Sequence, residues 1–169
     1  GWSQLGDSKL TGAARGLHHM VNREGIKYSL IGTNRILYVY SGGVYYDIHP
    51  LVNPTGTAIT SAFSTTNGQP EVTITFSSPT TFQAGDIILF GDASTFTAIT
   101  GSNFGAADFA DKKFMVTSAP STTVITITMP SNEGGAGATN SGGITFFQYY
   151  PVGPAEQVGV FGYGISQWG

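Results

Sequence analysis

Glu71-Val-Thr-Ile-Thr-Phe76 and Thr122-Thr-Val-Ile-Thr-Ile-Thr-Met129 alternate apolar and hydroxyl side chains over 72–76 and 125–129. Val72, Ile74 and Phe76 point one way and Thr73 and Thr75 the other. In the second run Ile125, Ile127 and Met129 oppose Thr126 and Thr128. A period of two places one apolar row on a core and one polar row toward solvent, which is a half-buried β-strand. Threonine serves as the outward residue throughout. Only 10% of the 169 residues are charged, against about 25% in an ordinary globular chain. The solvent faces of helices, which need Glu, Lys and Arg, cannot be built from this composition, whereas strands and turns can be built from its Thr, Ser, Asn and 24 Gly. With 40% hydrophobic residues and a net charge of -3, the chain can bury enough surface to fold. The fold class is all-β.

Working outward from these runs, residues 58–65, a turn at Asn67-Gly68 and the Glu71 run form a hairpin. Ala84-Gly85-Asp86 reads as a turn that launches Ile87-Ile-Leu-Phe90, a strand too apolar to have a wet face and so a central one. Residues 114–117, a turn near Ala119-Pro120-Ser121 and the Thr122 run form another hairpin. Between them, residues 104–111 suit a short helical turn, with Phe104 and Phe109 closing one end of the core. A glycine-rich stretch, 134–143, is expected to be an exposed, mobile loop, and 144–149 closes the zone. Five or six short strands at this spacing predict a small barrel or sandwich of SH3-like or OB-like size over 57–150.

The segment 1–56 reads as a three-stranded β-meander: Ile26-Lys-Tyr-Ser-Leu-Ile31, Arg35-Ile-Leu-Tyr-Val-Tyr40 and Val44-Tyr-Tyr-Asp-Ile-His49. Gly42-Gly43 supplies the positive φ that a two-residue hairpin turn requires. Leu37 and Val39 alternate with Ile36, Tyr38 and Tyr40, so the meander is apolar on both faces and needs covering on both. Residues 151–169 are rich in glycine and aromatic side chains and end in Val158-Gly-Val-Phe-Gly-Tyr-Gly-Ile-Ser-Gln-Trp168-Gly169. We expect this segment to return onto 1–56, and the 169 residues to be a piece of a longer protein.

The search for chemistry is short. With no cysteine, disulfides, thiol nucleophiles and Cys-ligated metals are excluded. The imidazoles are His18, His19 and His49. Adjacent His18 and His19 point to opposite faces of a strand, and no His-x-His or Glu-x-x-His spacing supports a metal site. Gly164-Ile-Ser166-Gln-Trp-Gly169 misses the Gly-x-Ser-x-Gly elbow by one residue. Neither glycine-rich stretch has the lysine-ending loop or the following helix of a nucleotide site. Asp86 and Asp92 flank one strand but lack the alternating Asp/Asn loop that holds calcium. The ten carboxylates offer no pair whose separation can be read from sequence. No catalytic residue, metal or cofactor is therefore expected. Five of the seven cations, Lys9, Arg15, Arg23, Lys27 and Arg35, lie in the first fifty residues and the remainder of the chain is acidic, so no basic stripe exists for nucleic acid. No apolar run reaches the eighteen or so residues of a membrane helix. The remaining signal is aromatic: Trp2, Tyr45, Tyr46, Tyr149, Tyr150, Tyr163 and Trp168 form the candidate interaction surface, suited equally to protein contacts and to sugar stacking.

Gly1-Trp-Ser-Gln-Leu-Gly, Leu10-Thr-Gly-Ala-Ala-Arg-Gly-Leu-His18, Ile31-Gly-Thr-Asn-Arg-Ile-Leu-Tyr-Val-Tyr40, Tyr45-Tyr-Asp-Ile-His-Pro50 and Gly162-Tyr-Gly-Ile-Ser-Gln-Trp-Gly169 resemble the framing segments of a group of tailed-phage virion proteins common in marine viruses, in which a Thr-rich β domain is inserted. His49 departs from that pattern, which has Thr there. The resemblance implies a structural component of a phage particle, in the tail or its connector, with the meander as one blade-like piece of a propeller-type body. Its partners would be copies of itself or other virion proteins, with no enzymatic step. The alternative expectation is a carbohydrate-binding or host-recognition module. A glycan-degrading enzyme is a third, without a motif to carry it.

Overall fold

The computed structural model describes residues 10–59, 63–93, 96, 99, 101–131, 139–140 and 143–152. The chain divides into two compact units, Gly1–Pro50 with Tyr150–Gly169, and Leu51–Tyr149. Both are built from antiparallel sheet, and the fold is all-β, with one helical turn among the described residues.

The first unit holds four strands, β1 (Ala14–Val21), β2 (Lys27–Thr33), β3 (Leu37–Ser41) and β4 (Val44–Asp47), hydrogen-bonded in chain order. The expected meander is there, with β1 added as a fourth strand. Ala-Arg-Gly-Leu-His-His-Met-Val hides that strand from a pattern reading: neither of its faces is uniformly apolar, and all eight residues are exposed. Gly42 and Gly43 both adopt positive φ, 58° and 87°, at the β3–β4 turn. The β2–β3 turn is held by one hydroxyl. Thr33 Oγ1 accepts the Ile36 N–H at 2.8 Å and the Arg35 N–H at 3.1 Å, and shares its own proton between the carbonyls of Ile36 and Thr11, each at 2.8 Å. Asn34 Oδ1 accepts the Ala13 N–H at 2.8 Å, so the Gly-Thr-Asn stretch fastens residues 11–13 to the turn as well.

The second unit contains β5 (Thr57–Ile59), β6 (Phe63–Thr65), β7 (Glu71–Thr75), β8 (Ile87–Phe90), the helical turn α1 (Ala106–Phe109), β9 (Lys113–Ser121), β10 (Val124–Thr128), β11 (Thr139–Asn140) and β12 (Ile144–Gln148). The strands form one eight-stranded sheet in the order β11-β6-β7-β10-β9-β8-β12-β5. β5 and β6 stand six places apart in that order, which in a flat sheet is about 29 Å. Ile59 and Phe63 are four residues apart in the chain and so no more than about 14 Å apart. The sheet must curl, and it forms a half-barrel. Ring contacts record the curl directly. Phe63 on β6 meets Phe90 on β8 at 5.9 Å, and Phe76, just past β7, meets Phe146 on β12 at 4.8 Å. Each pair spans four places in the sheet order.

The inside of the curl is filled as the alternation demands. Val72, Ile74, Phe76, Ile125, Ile127 and Met129 are buried, while Thr73, Thr75 and Thr126 are partly exposed and Thr128 is exposed. Ile88 and Phe90 have no exposed surface, as befits an interior strand. α1 falls within the expected 104–111 stretch, and Phe104 and Phe109 are buried in the same core. Phe109 packs against Phe63, Phe90 and Phe96 at 5.1–5.6 Å.

The expected barrel is borne out as a half-barrel, a curled sheet of eight strands whose hairpins pair side by side around one Phe-rich core. Three expectations are corrected. The stretch 58–65 does not form one strand: β5 and β6 pair at opposite ends of the sheet. The β9–β10 turn lies at Thr122-Thr123, after Pro120 and not at it. Val124 pairs with Ser121 and Thr126 with Ser118, so an extra residue bulges out of β9 where Pro120 cannot donate a ladder bond. Within 134–143, Thr139 and Asn140 pair with β6 and do not form an open loop. The other members of that stretch lie outside the described residues, save Gly143.

Gly91 shows how tightly the curl is packed. It is buried, its N–H donates to Thr145 O at 2.9 Å, and a Cβ added to it would collide with Thr145 Oγ1 and approach the Phe147 ring to 3.2 Å. Gly91→Ala is therefore expected to lower the free energy of unfolding by about 1–3 kcal/mol, measured as a shift of the urea midpoint at constant slope.

Candidate functional site

The pairing of β1–β4 sorts the paired side chains of the first sheet onto two faces; Arg15, at the register shift between Ala14 and Gly16, has no partner in it. Met20 pairs with Tyr28, His18 with Leu30, Leu30 with Val39, and Val39 with Tyr46. Gly16, Gly32, Leu37, Ser41 and Val44 share this face by the same registers, and Ile48 continues it, its N–H donating to Leu37 O at 3.1 Å. The opposite face carries Leu17, His19, Val21, Ser29, Ile31, Tyr38, Tyr40 and Tyr45 together with Lys27 and Asp47.

The two faces differ in charge; in cover they differ at the buried Tyr38, while Leu17 (62% exposed) and Val21 (61%) leave the β1 edge of the second face open as well. The ionised groups placed by these registers, Lys27 and Asp47, both lie on the second face, while the first has none. On the second face Tyr38 is buried, with its hydroxyl accepting the Thr11 N–H at 3.1 Å. The first face is open: Met20 is 45% exposed, Val44 50%, Tyr46 53% and Ile48 44%. Met20, Tyr28, Leu30, Val39, Tyr46 and Ile48 line one continuous shallow depression along it.

The aromatic residues singled out in the sequence do not form one surface. Tyr45 and Tyr46 are adjacent on β4 and so point to opposite faces. Tyr46 belongs to the open apolar face, and Tyr45 packs its ring on Tyr40 at 4.8 Å on the other. Tyr149 is corrected from the candidate surface: it is only 4% exposed, with the Lys113 ammonium 5.8 Å from its ring centre. Its neighbour Tyr150 is 53% exposed. The Tyr150 backbone is held by Pro50 O at 3.1 Å and by the Nε2–H of His49, which donates to Tyr150 O at 2.7 Å. Trp2, Tyr163 and Trp168 lie outside the described residues. Sequence reasoning did not find Met20, Tyr28, Leu30 and Ile48 as a set, because grouping them requires the β1–β2 register.

His18 and His19 do point apart, His18 onto the open face and His19 toward Ser29, with Nδ1 and Oγ 2.8 Å apart. Asp86 closes its own turn by accepting the Gln83 N–H at 2.9 Å. Among the described residues no group of three or more His, Asp or Glu could hold a metal ion, and no helix is long and apolar enough to cross a membrane.

These features define an all-β chain whose meander exposes a charge-free apolar sheet face. No family model and no curated protein matches the sequence. Among solved structures the chain is similar to the phage phi92 endosialidase, with 14% identity and a TM-score of 0.40, over 80% of this chain and 18% of that one. The chain thus spans under a fifth of that protein's length, and a likeness this slight carries no argument.

The open face measures about 19 by 17 Å from strand spacing and rise, or roughly 300 Å². A stable complex buries about 800 Å² per partner, so two such faces alone would associate weakly. The expectation is concentration-dependent self-association, seen by analytical ultracentrifugation only toward hundreds of micromolar, on the order of a 0.1–1 mM Kd. Tyr46→Lys, at an exposed position, is expected to abolish it without changing the circular dichroism spectrum.

Proposed function

We propose that this protein is a structural component of a tailed-phage particle, in the tail or its connector, and that it acts by assembly contacts without a catalytic step. The observation that carries the reading is the open, charge-free face of the β1–β4 sheet. A four-stranded antiparallel meander with an exposed apolar face is the kind of unit that radial β assemblies stack blade against blade. Stacking this face on the same face of a second copy removes apolar area from water and buries no ionised group, so there is no desolvation of charge to offset. A weak pairwise contact suits such a role, since in a particle many copies are held side by side and their small contacts add. The sequence resemblance of the framing segments to tailed-phage virion proteins points the same way.

An antibody raised against the whole chain tests this reading on purified particles of the source phage. Labelling of intact or mildly disrupted particles at a fixed location is expected. A chain found in infected-cell lysate but in neither kind of particle would overturn the proposal.

A further inference from the structure

We infer that the half-barrel unit carries a binding site for the ring of a neutral sugar, in the cavity between β5, the segment 77–81 and β12. The cavity is about 200 Å³, larger than the roughly 150 Å³ that holds a benzene ring, and so of a size for one substituted six-membered ring. Its walls are mostly carbon, from Phe76, Phe146, Val52 and Pro79. No residue lining it is charged.

One side chain makes it more than a dry gap. Gln148 is 95% buried and lines the cavity. Its position is fixed from two sides. The Gln148 N–H donates to Asn53 Oδ1 at 2.7 Å, and Asn53 in turn donates through Nδ2 to Phe146 O at 2.9 Å and Thr57 Oγ1 at 3.0 Å. The Thr81 hydroxyl donates to Gln148 Oε1 at 3.2 Å. The Nε2 amide is left with no partner among the described residues, and it is not sealed off as a buried unsatisfied atom. An amide donor held in place, without a partner and open to a cavity calls for an acceptor from outside the protein. The mouth supplies more polar groups. The Ser77 and Ser78 hydroxyls line it, and Thr81, having spent its proton on Gln148, can still accept.

The chemistry of the occupant follows from these groups. A phosphate or carboxylate would find no cation. A purely apolar ring would fill the carbon walls but leave the Gln148 amide desolvated and unpaired, at a cost in affinity. A sugar ring presents C–H faces to the walls and hydroxyls to the amide and the rim. The proposed sugar site is this cavity, apart from the exposed Tyr46 and Tyr150. The inference stands apart from the assembly reading, which concerns the other unit, and its loss would leave Tyr46-dependent association unchanged.

The test is an NMR titration of the ¹⁵N-labelled full chain with D-glucose, D-galactose and N-acetyl-D-glucosamine, with D-glucuronate and cyclohexanol as charged and apolar comparisons. At least one neutral sugar is expected to move the Gln148 side-chain amide and the backbone amides of residues 77–81 saturably, with a Kd on the order of 1–10 mM. D-Glucuronate should bind about tenfold more weakly. Gln148→Met, which keeps the volume and removes the donor, should weaken binding about tenfold. Ser78→Trp, at an exposed rim position, should block the cavity in a chain that keeps its dispersed spectrum. Three results would each overturn the inference: no shift at these amides with any neutral sugar up to about 100 mM, glucuronate or cyclohexanol bound as tightly as the sugar, or sugar binding unaffected by Ser78→Trp.

Discussion

Only three residues separate Ile59 from Phe63 in the chain, and these two positions stand near opposite ends of an eight-stranded sheet. That short reach dictates the form of the larger unit. A sheet whose distant strands must come within about 14 Å of each other cannot lie flat, and once curled it has an inside that only bulky apolar side chains can fill. The phenylalanines do this, with Phe63 touching Phe90, Phe96 and Phe109 at 5.1–5.9 Å. Where two strands crowd, as at Gly91 against Thr145 and Phe147, the chain can use only glycine. Where the curl leaves a space, beside Phe76, Phe146 and Gln148, the result is a cavity lined by two hydrogen-bonded amides, Asn53 and Gln148.

The smaller sheet follows a different rule. Its four strands make one layer, and its registers send Lys27 and Asp47 to one face while leaving the other with Met20, Leu30, Val39, Tyr46 and Ile48. A sheet in a self-contained domain would show solvent a polar face. Here the open face is the apolar one. The low charge of the whole chain has a local meaning in this light: the paired residues of that face include no Lys, Arg, Asp or Glu.

Much of this was legible in the sequence. The strict alternations at 71–76 and 122–129 marked β7 and β10 and their inward rows, and Gly42-Gly43 marked its hairpin. Period-two patterns report the phase of a strand, and buried rows keep that phase. The missed features are those that pattern does not encode. β1 has no buried row, so Ala14–Val21 showed no alternation of cover. Pro120 reads as a turn residue, and only the bulge explains how it sits in a strand. The order of the strands depends on pairing between residues far apart in the chain. The aromatic set failed as a surface for a local reason: Tyr45 and Tyr46 are neighbours on one strand, and Tyr149 is buried. Gln148 did leave a trace, since it occupies the inward phase of Ile144-Thr-Phe-Phe-Gln-Tyr149 with Ile144 and Phe146, where an apolar residue is the rule.

The central claim is that the Met20–Tyr46 face, and not its reverse, meets a second copy of the chain. Because the sequence contains no cysteine, a single introduced thiol can form a disulfide only between molecules. Tyr46→Cys and Leu17→Cys place a thiol at similarly exposed positions, 53% and 62%, on opposite faces of the same sheet. Under mild oxidation at high protein concentration, Tyr46→Cys is expected to yield covalent dimer at least tenfold faster than Leu17→Cys, a preference of about 1.4 kcal/mol or more. Equal rates, or faster dimer formation through Leu17→Cys, would contradict the account.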